Sequence, residues 1–331
     1  MKHLFILNPH SFKVSNIRDI LNEIETCFLG EDEGTHKIHI SRHSRDAIAI
    51  VYNYIASFPK TETIRVYAVG GTGILFECLN GMAHFPNAEL TSVPYGNANE
   101  FVNIFGDNAF EKFRTIKNFM NAPSHPMDII DCGSNYSIVG VSIGLIGQTV
   151  INANSFFPKL PVKWLRKNIS HAYSFCAVRA LFDKTVMQQR YSLIIDGEEI
   201  SGNYCNIQVQ NIACTGGTMY QSPYSKPDEG NMHVLLAATH KKMDIIKSIG
   251  EYNQGLFEKY SFFHHKICET IEIKSDTMLC VAVDGEGFYA HELKLKVIPK
   301  GINVFAPEGF NFVDYSDKAY KKKGLHKDEK K

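Results

Sequence analysis

The stretch Val66-Tyr67-Ala68-Val69-Gly70-Gly71-Thr72-Gly73-Ile74-Leu75 constrains the fold more than any other part of the chain. A short apolar run breaks into three glycines and resumes with apolar residues at helical spacing. It reads as strand, tight turn and helix. In such a corner the unpaired N–H groups of the turn and the positive end of the helix dipole meet at one point, which suits phosphate. Glycines at a strand-to-helix corner also supply backbone conformations closed to other residues. The turn alone therefore leaves two readings open, a phosphate cradle or a structural corner.

The surrounding pattern repeats the same alternation. Strand-like runs at Leu4–Leu7, Lys37–Ile40, Ile64–Val69 and Leu90–Val93 are separated by segments whose apolar residues recur at helical spacing. Examples are Ile17, Ile20, Leu21 and Ile24, then Ala47, Ile50, Val51, Tyr54 and Ile55, then Leu75, Cys78, Leu79 and Met82. This alternation predicts a parallel α/β sheet whose ligand crevice lies at the carboxyl ends of the strands. The polar or glycine-containing loops at 8–12, 70–74 and 94–100 fall at such ends.

Past Pro126 the runs are of strand length with few helices between them, which predicts a largely antiparallel, sandwich-like second domain. Two helical inserts are expected there, Trp164–Phe182 and Lys241–Tyr260. Around the first, Phe156, Phe157, Leu160 and Trp164 mix with Lys159, Lys163, Arg166 and Lys167. That mixture suits either an ordinary amphipathic helix or a membrane interface.

Composition bounds the rest. A chain of 331 residues with 44% hydrophobic content supports two cores. Lys and Arg equal Asp and Glu at 35 each, so no bulk positive field exists for a nucleic-acid partner. Eight scattered cysteines without a CxxC pair read as reduced cytosolic thiols. The first apolar run is too short for a signal peptide, and no window approaches a membrane span. The Lys-rich tail at 321–331 reads as solvated.

Neither a GxxxxGK[ST] P-loop nor a GxGxxG fingerprint occurs. What does occur is an ordered series: Asn8-Pro9-His10-Ser11, Gly70-Gly71-Thr72-Gly73, Pro94-Tyr95-Gly96-Asn97-Ala98-Asn99-Glu100-Phe101, Gly216-Gly217, Pro227-Asp228-Glu229-Gly230-Asn231, and Asp284-Gly285-Glu286. In this series, from Leu4 to about Pro307, the chain resembles the diacylglycerol kinase catalytic-domain family, which includes soluble bacterial lipid kinases.

The resemblance implies an α/β nucleotide-binding domain of the phosphofructokinase and NAD kinase type at 1–127. A β-rich lipid-binding domain follows at 128–300, and a segment near 301–320 returns to the first domain. It places ATP near Asn8, Pro9, Ser11, Ser41, Gly70, Gly71, Thr72, Gly73, Gly96 and Asn97. Glu286 is implied as general base with Asp284 beside it, Mg2+ at Lys226, Glu229 and Asn231, and an interdomain network through Asp128 and Glu100. The implied partner is a lipid at a membrane surface, met peripherally from the cytoplasm, with a homodimer left open.

The residues agree with this chemistry on their own terms. Moving a phosphoryl group to a hydroxyl requires held phosphates, a divalent metal and a carboxylate to take the proton. Asp284 and Glu286, two apart after an apolar strand, are expected to point into the interdomain cleft, although Asp-Gly-Glu is also good turn composition.

Several positions depart from the family pattern. Thr72 stands where the glycine loop normally carries Asp, Phe12 and Ala98 stand where it has Gly, and Asn97 stands where it has Thr. Glu100 and Glu229 each replace an Asp. Two readings follow from these changes: a lipid kinase with a remodelled nucleotide site, its metal contacts supplied by Glu100, Asp128 or water, or an impaired member that works by binding. Thr72→Asp is expected to raise activity if the loop is merely weakened.

Overall fold

The computed structural model describes residues 1–11, 14–96, 99–106, 108–217 and 219–316, with side chains except at 10, 14–16 and 162–167. Phe12, Asn97, Ala98, the tail at 321–331 and the side chains of Lys163, Trp164, Arg166 and Lys167 lie outside that set.

The first unit alternates β1 (Lys2–Leu7), α1 (Val14–Cys27), β2 (His36–Ile40), α2 (Asp46–Ala56), β3 (Ile64–Gly70), α3 (Thr72–Met82) and β4 (Ala88–Pro94). β1 and β3 are apolar on both faces because helices cover both faces of the sheet, as for central parallel strands. β1 lies between β2 and β3, and β3 lies beside β4, all parallel. Leu7 stands opposite Ile40 and Val69, and Val69 opposite Val93. This register ends four strands on one edge, so the loops that begin at Asn8, Ser41, Gly71 and Tyr95 leave side by side.

α3 ties the two units together. Leu75, Cys78, Leu79 and Met82 pack into the first core, while Phe76 belongs to the second. Asn80, one turn on, exchanges two hydrogen bonds with the Tyr136 backbone, at 2.8 and 3.1 Å.

The chain continues through α4 (Glu100–Asn103), α5 (Ala109–Phe113), β5 (Ser124–Asp131), β6 (Tyr136–Ser137), β7 (Gly140–Gly144), α6 (Leu145–Phe156) and α7 (Val162–Leu181). Then come α8 (Lys184–Met187), β8 (Arg190–Ile195), β9 (Glu198–Gln210), β10 (Met232–Ala238), α9 (Lys242–Tyr252), β11 (Phe263–Cys268), β12 (Thr270–Val283) and β13 (Glu286–Phe305). The second unit is antiparallel and β-rich. β8 bridges the far ends of β9 and β12, bending the sheet around a core of Val, Ile and Leu.

Three features differ from the sequence expectation. Besides the four-residue α8, α6 is a helix beyond the two expected, although Thr149, Val150, Ile151, Asn152 and Asn154 are weak helix formers. Packing decides it, because Gly147 lets the helix lie on β12, where a Cβ would stand 2.0 Å from the Cys280 carbonyl oxygen. The second insert stops at Tyr252 because Gly255, at φ +75°, turns the chain before a short 3-10 turn at Phe257–Lys259.

The third difference is that Leu293–Ile298 and Ile302–Phe305 belong to one 20-residue strand, irregular between Ile298 and Ile302. Its end lies parallel to β4, with Asn303 opposite Glu89 and Val304 opposite Leu90. Arg65, buried, anchors that end by pairing with Glu89 at 2.9 Å and covering the Phe305 ring at 4.7 Å. All eight cysteines are unpaired.

Candidate active site

Three of the four loop edges meet at the glycine turn. The Gly70 carbonyl accepts the Tyr95 and Gly96 N–H groups at 2.9 and 2.8 Å, and the Asn8 N–H reaches the Val69 carbonyl at 3.0 Å. A Cβ added to Gly70 would lie 3.2 Å from Ser11 Oγ and 3.3 Å from the Asn8 Cβ. A Cβ on Gly96 would lie 2.4 Å from the Gly71 Cα, so only glycine permits this approach. Ser41 joins the edge through its N–H, 2.8 Å from the Leu7 carbonyl, while its hydroxyl turns to the His43 carbonyl at 3.1 Å.

Gly71 stands at the N-cap of the 11-residue α3 and offers no side chain to cap it. The first amides of a helix have no partner within it, and at this corner they lie at the positive end of the α3 dipole, where an anion is favoured. Asn8, Pro9, Ser11, Gly70, Gly71, Thr72, Gly73 and Gly96 are thus assembled at one place, with Ser41 on the neighbouring strand end.

Glu286 comes to this turn from the second unit. Its Oε1 lies 3.9 Å from where a Cβ on Gly73 would stand. Burial pushes its carboxyl above the ordinary range, the Arg45 charge opposes that, and Glu77 adds to it. Arg45, exposed and at φ 67° just before α2, is the cation whose charge acts on Glu286, and the motif series did not indicate it. The signal available was a basic loop, Arg42, His43 and Arg45, directly after a β-strand.

Asp284 does something else. Asp284 and Gly285 form the two-residue turn of the β12–β13 hairpin, both at positive φ, and Val283 pairs with Glu286. The Asp284 carboxylate does not face the cleft. It accepts Ser137 Oγ at 2.6 Å and the N–H groups of Ile138, Val139 and Gly140 at 2.8, 3.0 and 3.1 Å. Burial pushes it up to about 6 against the pull of these four donors. The expectation that both acids point into the cleft holds for Glu286 only; Asp284 is a positioning residue that fixes the hairpin.

Glu100 links the units at the turn itself. Thr72 Oγ1 donates to its Oε2, and the Gly217 N–H reaches its Oε1 at 3.1 Å. Asp128 is also engaged, accepting the Gly230 and Lys300 N–H groups at 2.6 and 2.7 Å. Each Asp128 oxygen thus takes one backbone N–H from the second unit. In this way Asp128 ties the 227–230 loop to the irregular part of β13.

The residues at the expected magnesium site are close together but do not fit the ion. Lys226 Nζ pairs with Asp314 at 2.9 Å, and Glu229 Oε1 meets His233 Nε2 at 2.7 Å and the Lys226 N–H at 3.1 Å. Asn231 Oδ1 is a buried acceptor without a partner. Among the described residues no group of three His, Cys, Asp or Glu side chains is set to hold a metal. Mg2+ is held by one or two carboxylates with water completing its shell, and the one carboxylate of these three residues, Glu229, is engaged by His233 and the Lys226 N–H with the Lys226–Asp314 pair beside it. The loop is organised by hydrogen bonds and the Lys226–Asp314 pair.

Two family models match the chain: the diacylglycerol kinase catalytic domain at residues 2–132, and the YegS C-terminal NAD kinase beta sandwich-like domain at residues 160–306. The chain belongs to the diacylglycerol kinase catalytic-domain family. This family member is 24% identical over 291 residues to a protein named probable lipid kinase YegS-like from Shewanella frigidimarina, over 84% of this chain and 87% of that one. It is 23% identical over 308 residues to a protein of the same name from Chromohalobacter salexigens, over 92% and 93% of the two chains. A crystal structure described as a diacylglycerol kinase from Bacillus anthracis str. Sterne has the same fold. It aligns with a TM-score of 0.66 at 17% identity, over 94% of this chain and 98% of that one.

Proposed function

We propose that this lipid kinase family member transfers the γ-phosphoryl group of Mg-ATP to a hydroxyl of a diacylglycerol-like or sphingoid lipid at a membrane surface facing the cytoplasm. The observation that carries the reading is the approach of Glu286 to Gly73 of the glycine turn. Phosphoryl transfer needs the donor phosphate and the deprotonating acceptor oxygen to be brought in line, and here the amides for one and the carboxylate for the other come from different units.

Each residue then has a task. The amides at the start of α3 and the loops at Asn8 and Gly96 hold the phosphates. Glu286, its proton affinity raised by burial, takes the hydroxyl proton, and a base tuned toward the working pH is the more effective one. Asp284 holds the hairpin that aims Glu286. Arg45 offsets the charge of Glu286 and stands ready for the phosphate. Glu100 supplies the carboxylate next to the loop where Thr72 has none, and Mg2+ arrives with the nucleotide as part of the substrate.

Radiolabelled ATP offered with a total lipid extract tests this. A labelled lipid is expected, and in Glu286→Gln its formation should fall by about 10²- to 10⁴-fold. Nucleotide binding without transfer to any lipid, or an unchanged rate in Glu286→Gln, would overturn the reading.

A further inference from the structure

α7 and α9 carry large apolar side chains that the fold leaves uncovered. Phe175 and Val178 on α7, with Phe182 just past its end, are 57%, 53% and 65% exposed; Met243, Ile246 and Ile249 on α9 are 61%, 44% and 45% exposed. Their spacing puts each set along one side of its helix, while Ala172, Cys176 and Ala180 of α7 and Ile245, Ser248 and Tyr252 of α9 are buried. The two sets adjoin, because Lys242 Nζ lies 4.2 Å from the centroid of the Phe182 ring. Single exposed apolar residues are ordinary on a folded protein, whereas six on two adjoining helical segments mark an interaction surface.

Charge selects the partner. Arg179 stands on α7, Lys184 on α8, Lys241 just before α9, and Lys242 and Lys247 on α9. Three carboxylates stand there too, each with a local partner: Asp183 accepts the Thr185 N–H and Oγ1 at 2.9 and 2.6 Å, Asp244 pairs with His240 at 3.0 Å, and Glu251 pairs with Lys259 at 2.7 Å, which leaves the five cations in excess. Aromatic and aliphatic residues beside lysines form the composition that settles into a headgroup layer, with ammonium groups reaching lipid phosphates. A second copy of the chain would bring the same cations face to face across a two-fold axis, which opposes association. No described helix is long and apolar enough to cross a membrane, so the contact is one that lies on the surface.

The patch is also continuous with the site. A cavity of about 600 Å³ opens beside it between α6, α7 and the β12–β13 strands, with Phe156, Arg179, Ile151, Met278 and Tyr289 in its wall. Ile151 packs directly on Gly287, the neighbour of Glu286, and Asn154 reaches the Gly285 carbonyl at 3.5 Å. α7 packs on α6, and α6 therefore stands between the uncovered face and the hairpin that carries Glu286.

We infer that the α7–α9 face docks the protein on a bilayer containing anionic lipid, with the cavity beside Arg179 opening at headgroup depth. The choice of a bilayer rests on the lipid-kinase reading, and the test separates the two. The full chain, without ATP, is sedimented with vesicles of phosphatidylcholine containing one-third phosphatidylglycerol, and with vesicles of phosphatidylcholine alone. Binding to the anionic vesicles is expected to weaken with salt. The triple variant Phe175→Ser, Phe182→Ser, Ile246→Ser should bind on the order of ten-fold less, and Lys241→Gln with Lys242→Gln about five-fold less per lysine on anionic vesicles only.

Thermal unfolding at the wild-type temperature shows that the variants are folded, and transfer of label to detergent-dispersed lipid reports the site independently of docking. Lost sedimentation with retained transfer supports docking by this face. Variants that sediment like the wild type overturn it, as does a solution dimer that the apolar substitutions dissociate. Sedimentation of a wild type that labels no lipid would leave docking standing and sink the kinase reading instead.

Discussion

Gly96→Ala probes the geometry on which the site depends. The new Cβ would stand 2.4 Å from Gly71 Cα, 2.7 Å from Gly71 N and 3.2 Å from Gly70 C, all backbone atoms with no rotamer to change. Carbon atoms rest at about 3.5–4.0 Å, so the two loops must separate by roughly 1 Å or more. They cannot do so freely, since the N–H groups of Tyr95 and Gly96 both hold the Gly70 carbonyl, at 2.9 and 2.8 Å. Overpacking of this kind costs about 1–3 kcal/mol of stability, the range within which two lengthened hydrogen bonds also fall. The larger effect is on transfer, because a displacement of about 1 Å between the phosphate cradle and Glu286 is enough to slow the reaction about 10²-fold.

Urea unfolding and label transfer are measured on the same preparation, with Gly250→Ala in α9 as control. Nothing lies within 4 Å of a Cβ at Gly250, and replacing a glycine inside a helix should stabilise by up to about 1 kcal/mol. A Gly96→Ala protein with wild-type stability and wild-type transfer would refute the claim that these loops touch as described.

Two further substitutions test the frame. Arg65→Met strands the Glu89 carboxylate and the Phe119 and Ala122 carbonyls that Arg65 now satisfies, and should cost about 3–5 kcal/mol in urea unfolding; a loss below about 1 kcal/mol would contradict the anchoring of β13. Asp284 gives a pH dependence of definite sign. Because burial raises its folded value to about 6, the folded state binds the proton more tightly than the unfolded chain between roughly pH 4 and pH 6. Stability therefore falls as pH rises through that window, by at most about 3 kcal/mol. Asp284→Asn should flatten the fall when urea midpoints at pH 4 and pH 7 are compared, and a wild type that gains on the variant as pH rises would reverse the argument.

Much of the first unit is legible in sequence because central parallel strands and their covering helices write burial directly as apolar runs and helical stripes. Leu75, Cys78, Leu79 and Met82 are such a stripe, and all are buried. The site loops are legible because they sit at strand ends, where glycine and polar residues interrupt those runs. What is not legible depends on contacts distant in sequence. Pro299-Lys300-Gly301 looks like the end of a strand, yet β13 continues through it with Asp128 holding the Lys300 N–H at 2.7 Å. The Lys226 ammonium is spent on Asp314, 88 positions on, which no local motif signals. Asp284 and Glu286 share a face if the strand is straight, but two successive residues at positive φ turn Asp284 onto residues 137–140 instead.

Thr72 shows how such a distant contact changes a functional expectation. In sequence it is the missing carboxylate of the glycine loop, and Thr72→Asp is the natural repair. In the fold Thr72 donates to Glu100, so an anion is already present at the loop, delivered from α4 by a side chain one methylene longer than aspartate. Adding Asp at 72 would set two carboxylates against each other within a few ångströms, which pushes one of them toward its protonated form and forces the loop and α4 apart. Thr72→Asp alone should therefore slow transfer by about ten-fold or more, a factor of ten being about 1.4 kcal/mol. Adding Glu100→Gln should recover most of the loss, since the amide donates where the hydroxyl did and the single negative charge is kept. A Thr72→Asp protein faster than the wild type would show that the Glu100 carboxylate does not serve the loop.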